Sequence, residues 1–326
     1  MMTDDNICTP EQDSFRDPFG AADAVPLWIL VPDALNDITR ARRGEALGVT
    51  SGLANLDNVL GGFREGELIL MGARPAVGAG ITLMQMALAA AHAGERVLYF
   101  NAGRTAGCIT KAFLAIEAGM AQSRTASAGL PRWRGITDEE FVLLKEAGER
   151  LAKLDILIDD SPRISADDLC DKACRDAADA SPKRSIIFID CLQHLAPEEL
   201  DALEQGRGDC APITMKLKAL ALSISSPVVV RTRLGREIEV RPVARKAPTL
   251  SDLRPFGTIE TDADAIILLD RSLTEEEAEV EGRPARDEMQ VNVAKNRGGA
   301  IGTAYLTYDP KTGTVHDRPH LYSQYL

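Results

Sequence analysis

The chain has 326 residues, 45% hydrophobic and 26% charged, and its 37 Lys and Arg against 49 Asp and Glu give a formal net charge of −12. That balance is that of an ordinary soluble globular protein, which excludes a disordered chain, a collagen and a disulfide miniprotein. No apolar run approaches the ~18 residues of a membrane-spanning helix, the acidic opening is unlike a secretory signal, and the net charge argues against coating DNA through bulk positive charge.

The expectation is therefore a cytoplasmic protein with no membrane contact. Residues 1–26 mix Asp, Pro, Gly and Ala without periodicity and read as a flexible acidic tail. In residues 27–47, Pro32 and Asp33 can open a helix that Gly44 closes, with Leu35 and Ile38 on one face. Such a helix has little core behind it and needs something to dock on.

From Gly48 the pattern becomes strands alternating with helices. Strands are expected at 66–72, 96–100, 154–158, 186–190 and 228–230, with helices at 81–93, 110–118 and 137–154 among them. Thr137-Asp138-Glu139-Glu140 is a capping-box pattern. Three further strands, at 265–269, 289–293 and 304–308, follow with little helix between them. This order predicts an α/β domain with a mostly parallel central sheet, helices on both faces and an antiparallel C-terminal extension. One domain over 48–318, with 319–326 as a tail, accounts for it.

The six cysteines contain no Cys-x-x-Cys pair. Cys170 and Cys174 share a helix face, but His92, His194, His316 and His320 offer no matching ligand spacing. Small buried hydrophobes are the simpler reading.

The loop Ala73-Arg74-Pro75-Ala76-Val77-Gly78-Ala79-Gly80 joins a strand to a helix, as a P-loop does. A working P-loop ends in Gly-Lys-Ser/Thr, the lysine for the β/γ-phosphates and the hydroxyl for magnesium. Here those two places hold Ala79 and Gly80; the backbone amides and helix dipole remain for an anion. A plain strand–helix turn is the alternative. Ser185 to Asp190 is an apolar strand ending in aspartate, as a Walker B strand ends at a sheet's carboxyl edge, although strand-end aspartates also serve as caps.

Together these segments resemble the C-terminal, RecA-like motor domain of the DnaB-type replicative helicases, in family order from about Leu27 to Asp317. The residues that carry the likeness are Gly48 to Asp57, Gly72-Ala73-Arg74-Pro75 and Ile189-Asp190-Cys191-Leu192-Gln193. Leu250 to Arg254, Gly257 to Asp264, and Ala294 to Gly299 with Gly302-Thr303 complete it. The resemblance implies ATP and Mg²⁺ as ligands, with Asp190 at the metal, Asp190 and Gln193 at the catalytic centre, and Arg74, Pro75, Gly78, Ala79 and Gly80 around the phosphates. It also makes Lys295 and Arg297 a finger entering a neighbouring subunit's pocket, and 27–47 the linker helix that docks on an adjacent subunit.

Departures from the family are concentrated at the chemistry. Besides the loop lysine and hydroxyl, the glutamate that activates water is replaced by Gly103. Three groups that act as a unit are absent together, so hydrolysis is expected to be slight. The resemblance leaves the family's N-terminal collar domain expected to be missing.

Arg231, Arg233, Arg236, Arg241, Arg245 and Lys246 form a local basic run that can hold single-stranded DNA through phosphates, or merely solvate a hairpin. Arg254 and Gly257 match positions that border the DNA channel in relatives, where Pro255 and Phe256 replace a Glu-Ser pair. The expected role is a DnaB-like replication protein with a degenerate ATP site, a regulatory or structural partner in a homo- or hetero-oligomeric ring with a replication helicase or primosome proteins. The alternatives are an active helicase, with Arg74 or Arg104 replacing the lost lysine, and a non-enzymatic ssDNA-binding module.

Overall fold

A computed structural model describes residues 25–45, 47–126, 135–180, 184–195, 209–280 and 282–318. The proposed tails at 1–26 and 319–326 lie outside these, apart from residues 25 and 26. The elements are α1 (Leu27–Arg42), α2 (Ala54–Leu60), β1 (Leu68–Ala73), α3 (Ala79–His92), β2 (Arg96–Phe100) and α4 (Ala106–Glu117). Next come α5 (Gln122–Ala126), α6 (Asp138–Leu151), β3 (Ile156–Asp159), α7 (Ala166–Ala180), β4 (Ser185–Asp190), α8 (Ala211–Ser223) and β5 (Val228–Arg233). Short α9 (Ile259–Asp262), β6 (Ala265–Asp270), short α10 (Glu275–Ala278), β7 (Glu288–Asn296), β8 (Gly302–Tyr308) and β9 (Val315–Asp317) complete the set.

The strands form one sheet in the order β3-β2-β4-β5-β1-β6-β7-β8-β9. Pairing is parallel from β3 to β6 and antiparallel from β6 to β9. Side chains alternate between faces along a strand, and both faces of the parallel part are buried. Ile69, Met71, Tyr99, Phe188 and Val229 join Leu83, Met86 and Phe113 of α3 and α4 on one side. Leu68, Leu70, Leu98, Ile187 and Val230 meet Leu169, Leu217 and Leu220 of α7 and α8 on the other. This two-sided burial explains why the central strands read as near-continuous apolar runs.

The helix after the β1 loop starts at Ala79 rather than Ile81, so Ala79 and Gly80 form its first turn. α4 likewise begins before Thr110, at Ala106, with the Thr105 side chain accepting from the Cys108 amide. Thr137 and Glu140 cap α6 reciprocally. Pro32 does not open α1: the helix begins at Leu27, directly after Pro26, with Pro32 inside it, and it buries none of its residues. Among the described residues no helix is long and apolar enough to cross a membrane.

Candidate functional site

The parallel strands all end on one edge of the sheet, and the crevice outside their carboxyl ends is where such sheets bind ligands. Ala73 ends β1 there, and the chain turns through Arg74 to Gly78 into α3. The turn requires left-handed backbone at Ala76 (φ +63°) and Gly78 (φ +113°). Arg271, just after β6, donates to the carbonyls of Ala76 at 2.9 Å and Val77 at 3.1 Å. Its guanidinium lies 3.8 Å from the centre of the Tyr308 ring. These contacts brace the loop from within the chain.

Arg74 does not take the lost lysine's place. Its side chain is buried and donates twice to Glu277, at 3.1 and 3.0 Å, and to the Arg271 carbonyl at 3.0 Å. A charged group this deep must be paired, and Glu277 satisfies it. The Arg74 hydrogen bonds hold the Glu277 carboxyl down at about 2. Arg74, Pro75, Gly78, Ala79 and Gly80 nonetheless all line a cavity of about 600 Å³ at the loop's mouth.

Asp190 ends β4 beside this loop: a Cβ built on Gly80 would lie 3.8 Å from Asp190 Oδ2. Its carboxylate is engaged. The β4–β5 register sets Arg231 directly alongside, and Arg231 Nε donates to Oδ1. Asn101 Nδ2 reaches Oδ2 at 3.3 Å and the Tyr99 hydroxyl approaches it at 3.5 Å. Magnesium does not fit these residues, because Asp190 is neutralised by a guanidinium and Gly80 offers no hydroxyl.

Gly103, in the place of the family's glutamate, is filled from the other side. A Cβ there would come within 2.7 Å of His194 Cε1. The neighbouring Cys191 raises the pKa of the His194 imidazole. Burial opposes ionisation of the Cys191 thiol, but His194 and Arg231 outweigh it and bring the thiol below its ordinary value. Gln193 is buried and both ends of its amide are engaged: Nε2 donates to Thr232 Oγ1 at 2.8 Å, and Oε1 accepts from the Arg233 amide at 3.2 Å. It ties the end of β5 to β4 rather than facing the cavity.

The cavity wall also carries Arg104, Arg231, Arg233 and Arg236. Two residues expected at DNA, Arg233 and Arg236, thus stand at the mouth of the loop's own cleft. The rest of the basic run is largely absorbed: Arg241 pairs with Asp252 and Lys246 with Glu277. Arg254 is exposed on the short helical segment Leu250–Phe256. Gly257 follows at φ +92°, where a Cβ would strike Asp209 Oδ1 at 1.9 Å.

Lys295 and Arg297 lie at the opposite end of the sheet. Lys295 faces Ile266 near the start of β6, which itself pairs with Leu70 of β1. Lys295 Nζ donates to the carbonyls of Glu260 at 2.6 Å and Thr261 at 3.2 Å, while Arg297 binds Asp264 Oδ1 at 3.1 Å. Neither reaches the cleft of its own chain. At Cys170, burial and then Cys174 push the thiol up to about 12, the reverse of a metal-binding thiolate.

Residues 48–317 match the family described as the DnaB-like helicase C-terminal domain. The chain belongs to that family. It is 29% identical to the replicative DNA helicase DnaB of Rickettsia conorii over 309 residues, covering 87% of this chain and 60% of that protein. To the DnaB of Treponema pallidum it is 30% identical over 283 residues, covering 86% and 58%. It therefore spans about 60% of the length of these curated relatives. A DnaB-like replicative helicase, studied structurally with its primase interactions, superposes with a TM-score of 0.76 at 25% identity, over 91% of this chain and 68% of that one. A second solved structure, an ATPase domain, superposes at 0.78 with 23% identity, over 91% and 100%. The fold is RecA-like, with the expected parallel sheet and antiparallel extension.

Sequence reasoning missed the Asp190–Arg231 pair, the Gly103–His194 contact and the Arg271 brace. The first had a signal, since Asp190 ends its strand and Arg231 directly follows the apolar run 228–230 of the neighbouring one. Their register, however, is a tertiary fact.

Proposed function

We propose that this chain is a DnaB-type ring subunit with a silent ATP site, acting in the cytoplasm as a regulatory or structural partner of a DNA-replication motor. The observation that carries the reading is the state of Asp190, which is charge-paired with Arg231 beside a cleft that no Asp, Glu or His among the described residues lines. An arginine cannot serve as that base, since it keeps its proton at any working pH. Loss of the lysine, the hydroxyl and the glutamate together leaves little of the preorganised charge that phosphoryl transfer needs.

Ring assembly is supported by α1, where Leu27 and Trp28 are each 75% exposed and Leu35 is 58% exposed. An apolar helix without a core of its own gains stability by docking on another subunit. The finger is supported by its placement, because Lys295 and Arg297 stand on the edge away from their own cleft. Each subunit would then offer a finger to a neighbour while lacking a working loop.

The test mixes the purified chain with a full-length DnaB-type helicase and follows mass and unwinding. Co-assembly, with unwinding that changes as the silent subunit is titrated in, is the expected result. A strictly monomeric chain at micromolar concentration, with nucleotide and with the helicase present, would end the ring reading. Salt-sensitive binding of labelled single-stranded DNA by such a monomer would favour a DNA-binding module instead.

A further inference from the structure

The disagreement between this cleft and magnesium has a definite shape. Both Asp190 oxygens already receive donors, and the principal one, Arg231, is fixed by strand register rather than by a mobile loop. A divalent cation would have to displace the Arg231 guanidinium, whose backbone position beside Asp190 is set by strand pairing. Close by, the first turn of α3 brings Gly80 towards the same carboxylate. The Asp190–Arg231 pair thus stands at the end of the loop, beside the helix start that favours an anion.

Arg231 uses only Nε on Asp190. Its terminal nitrogens make no hydrogen bond to another described residue, and its side chain stays 24% exposed at the cavity wall. A guanidinium presents a planar fork of donors that matches phosphate oxygens in pairs. Arg104 and Arg236 line the same cavity and are exposed. A cavity of about 600 Å³ is ample for a nucleotide-sized ligand. A wall this basic suits a polyphosphate that keeps its full charge and brings no cation.

We infer that Arg231 stands in for the magnesium ion, so that the cleft holds the di- or triphosphate chain of a nucleotide without a divalent cation. This rests on the reading of the site as non-hydrolysing and says what that site retains. Arg231 has two partners in this arrangement: Asp190 orients it through Nε, and the phosphate chain takes its terminal nitrogens. Asp190 becomes a positioning residue that competes with the ligand for the same cation.

The experiment is calorimetric titration of the full chain with ADP, ATP and inorganic triphosphate, in magnesium chloride and separately in EDTA, with phosphate release followed in the same samples. Affinity in EDTA is expected to equal or exceed that in magnesium. Arg231→Met should weaken binding in EDTA at least tenfold, Arg231→Lys should recover part of it, and Asp190→Asn should tighten it severalfold. Near-UV circular dichroism of each variant establishes that it is folded. Binding more than tenfold weaker in EDTA, no binding in either condition, or a folded Arg231→Met variant that binds like the native chain would each overturn the inference. The silent-site reading falls on a different result, sustained phosphate release in magnesium.

Discussion

Replacing Glu277 with glutamine tests the brace beneath the loop. The substitution keeps the shape of the side chain and removes its charge, leaving the Arg74 guanidinium, 1% exposed, without its bidentate partner. Glu277 also accepts from the Leu273 amide at 3.0 Å and from Lys246 at 3.2 Å, so several contacts weaken together. Removing one member of a buried ion pair costs about 3–5 kcal/mol. Asp270 and Glu239, each 3.9 Å from Arg74, stay close enough to offset part of this, which places the expectation at about 3 kcal/mol. With a urea slope of about 3 kcal/mol/M for a domain of this size, the midpoint should fall by about 1 M. The effect carries a pH signature. Glu277 is held at about 2 in the folded chain, by the Arg74 hydrogen bonds above all, against about 4.3 for a free glutamate. A depressed carboxyl stabilises the fold above its unfolded value and loses that contribution as pH falls towards its folded value. The gap between native and Glu277→Gln midpoints should therefore be constant from pH 7 to about pH 5 and shrink between about pH 4.3 and pH 2. A shift under about 0.3 M, or a gap unchanged between pH 7 and pH 3, would refute the buried-pair reasoning.

Two other substitutions probe the site by different routes. Gly103→Glu, which restores the family's residue, should destabilise the chain by about 1–3 kcal/mol because its Cβ meets His194. Adding His194→Ala should relieve most of that, read as a coupling energy in a double-mutant cycle; additive effects would show that His194 is not the obstacle. Gly257→Ala should cost at least about 1–3 kcal/mol from its left-handed backbone alone, with Asp209 in the way besides. A thermal melt unchanged by Gly257→Ala would contradict the turn described here.

Much of the fold was legible because its signals are local. The apolar runs of β1, β2, β4 and β6 announce strands buried on both faces, and the Thr137 capping box marks α6 within a residue. What escaped the sequence depends on partners distant along the chain. Arg74 reads as a loop cation until Glu277, 203 residues on, is seen to claim it. The start of α1 differs because Pro26, not Pro32, directly precedes the helix, while Pro32 lies inside it. The short β9 has three residues and is held by its pairing with β8. At the site, the missing lysine, hydroxyl and glutamate were visible as letters. What replaced them, Arg231 against Asp190 and His194 against Gly103, required the parallel register and the close approach of two loops.

The most direct test of a silent cleft is steady-state phosphate release by the purified chain at saturating ATP and magnesium, with and without single-stranded DNA, beside an Asp190→Asn variant. Release at the level of the protein-free blank, identical in the two proteins, is the expected result. Turnover well above the blank that Asp190→Asn abolishes would contradict it, and would mean that this cleft hydrolyses ATP through Asp190 despite its pairing with Arg231.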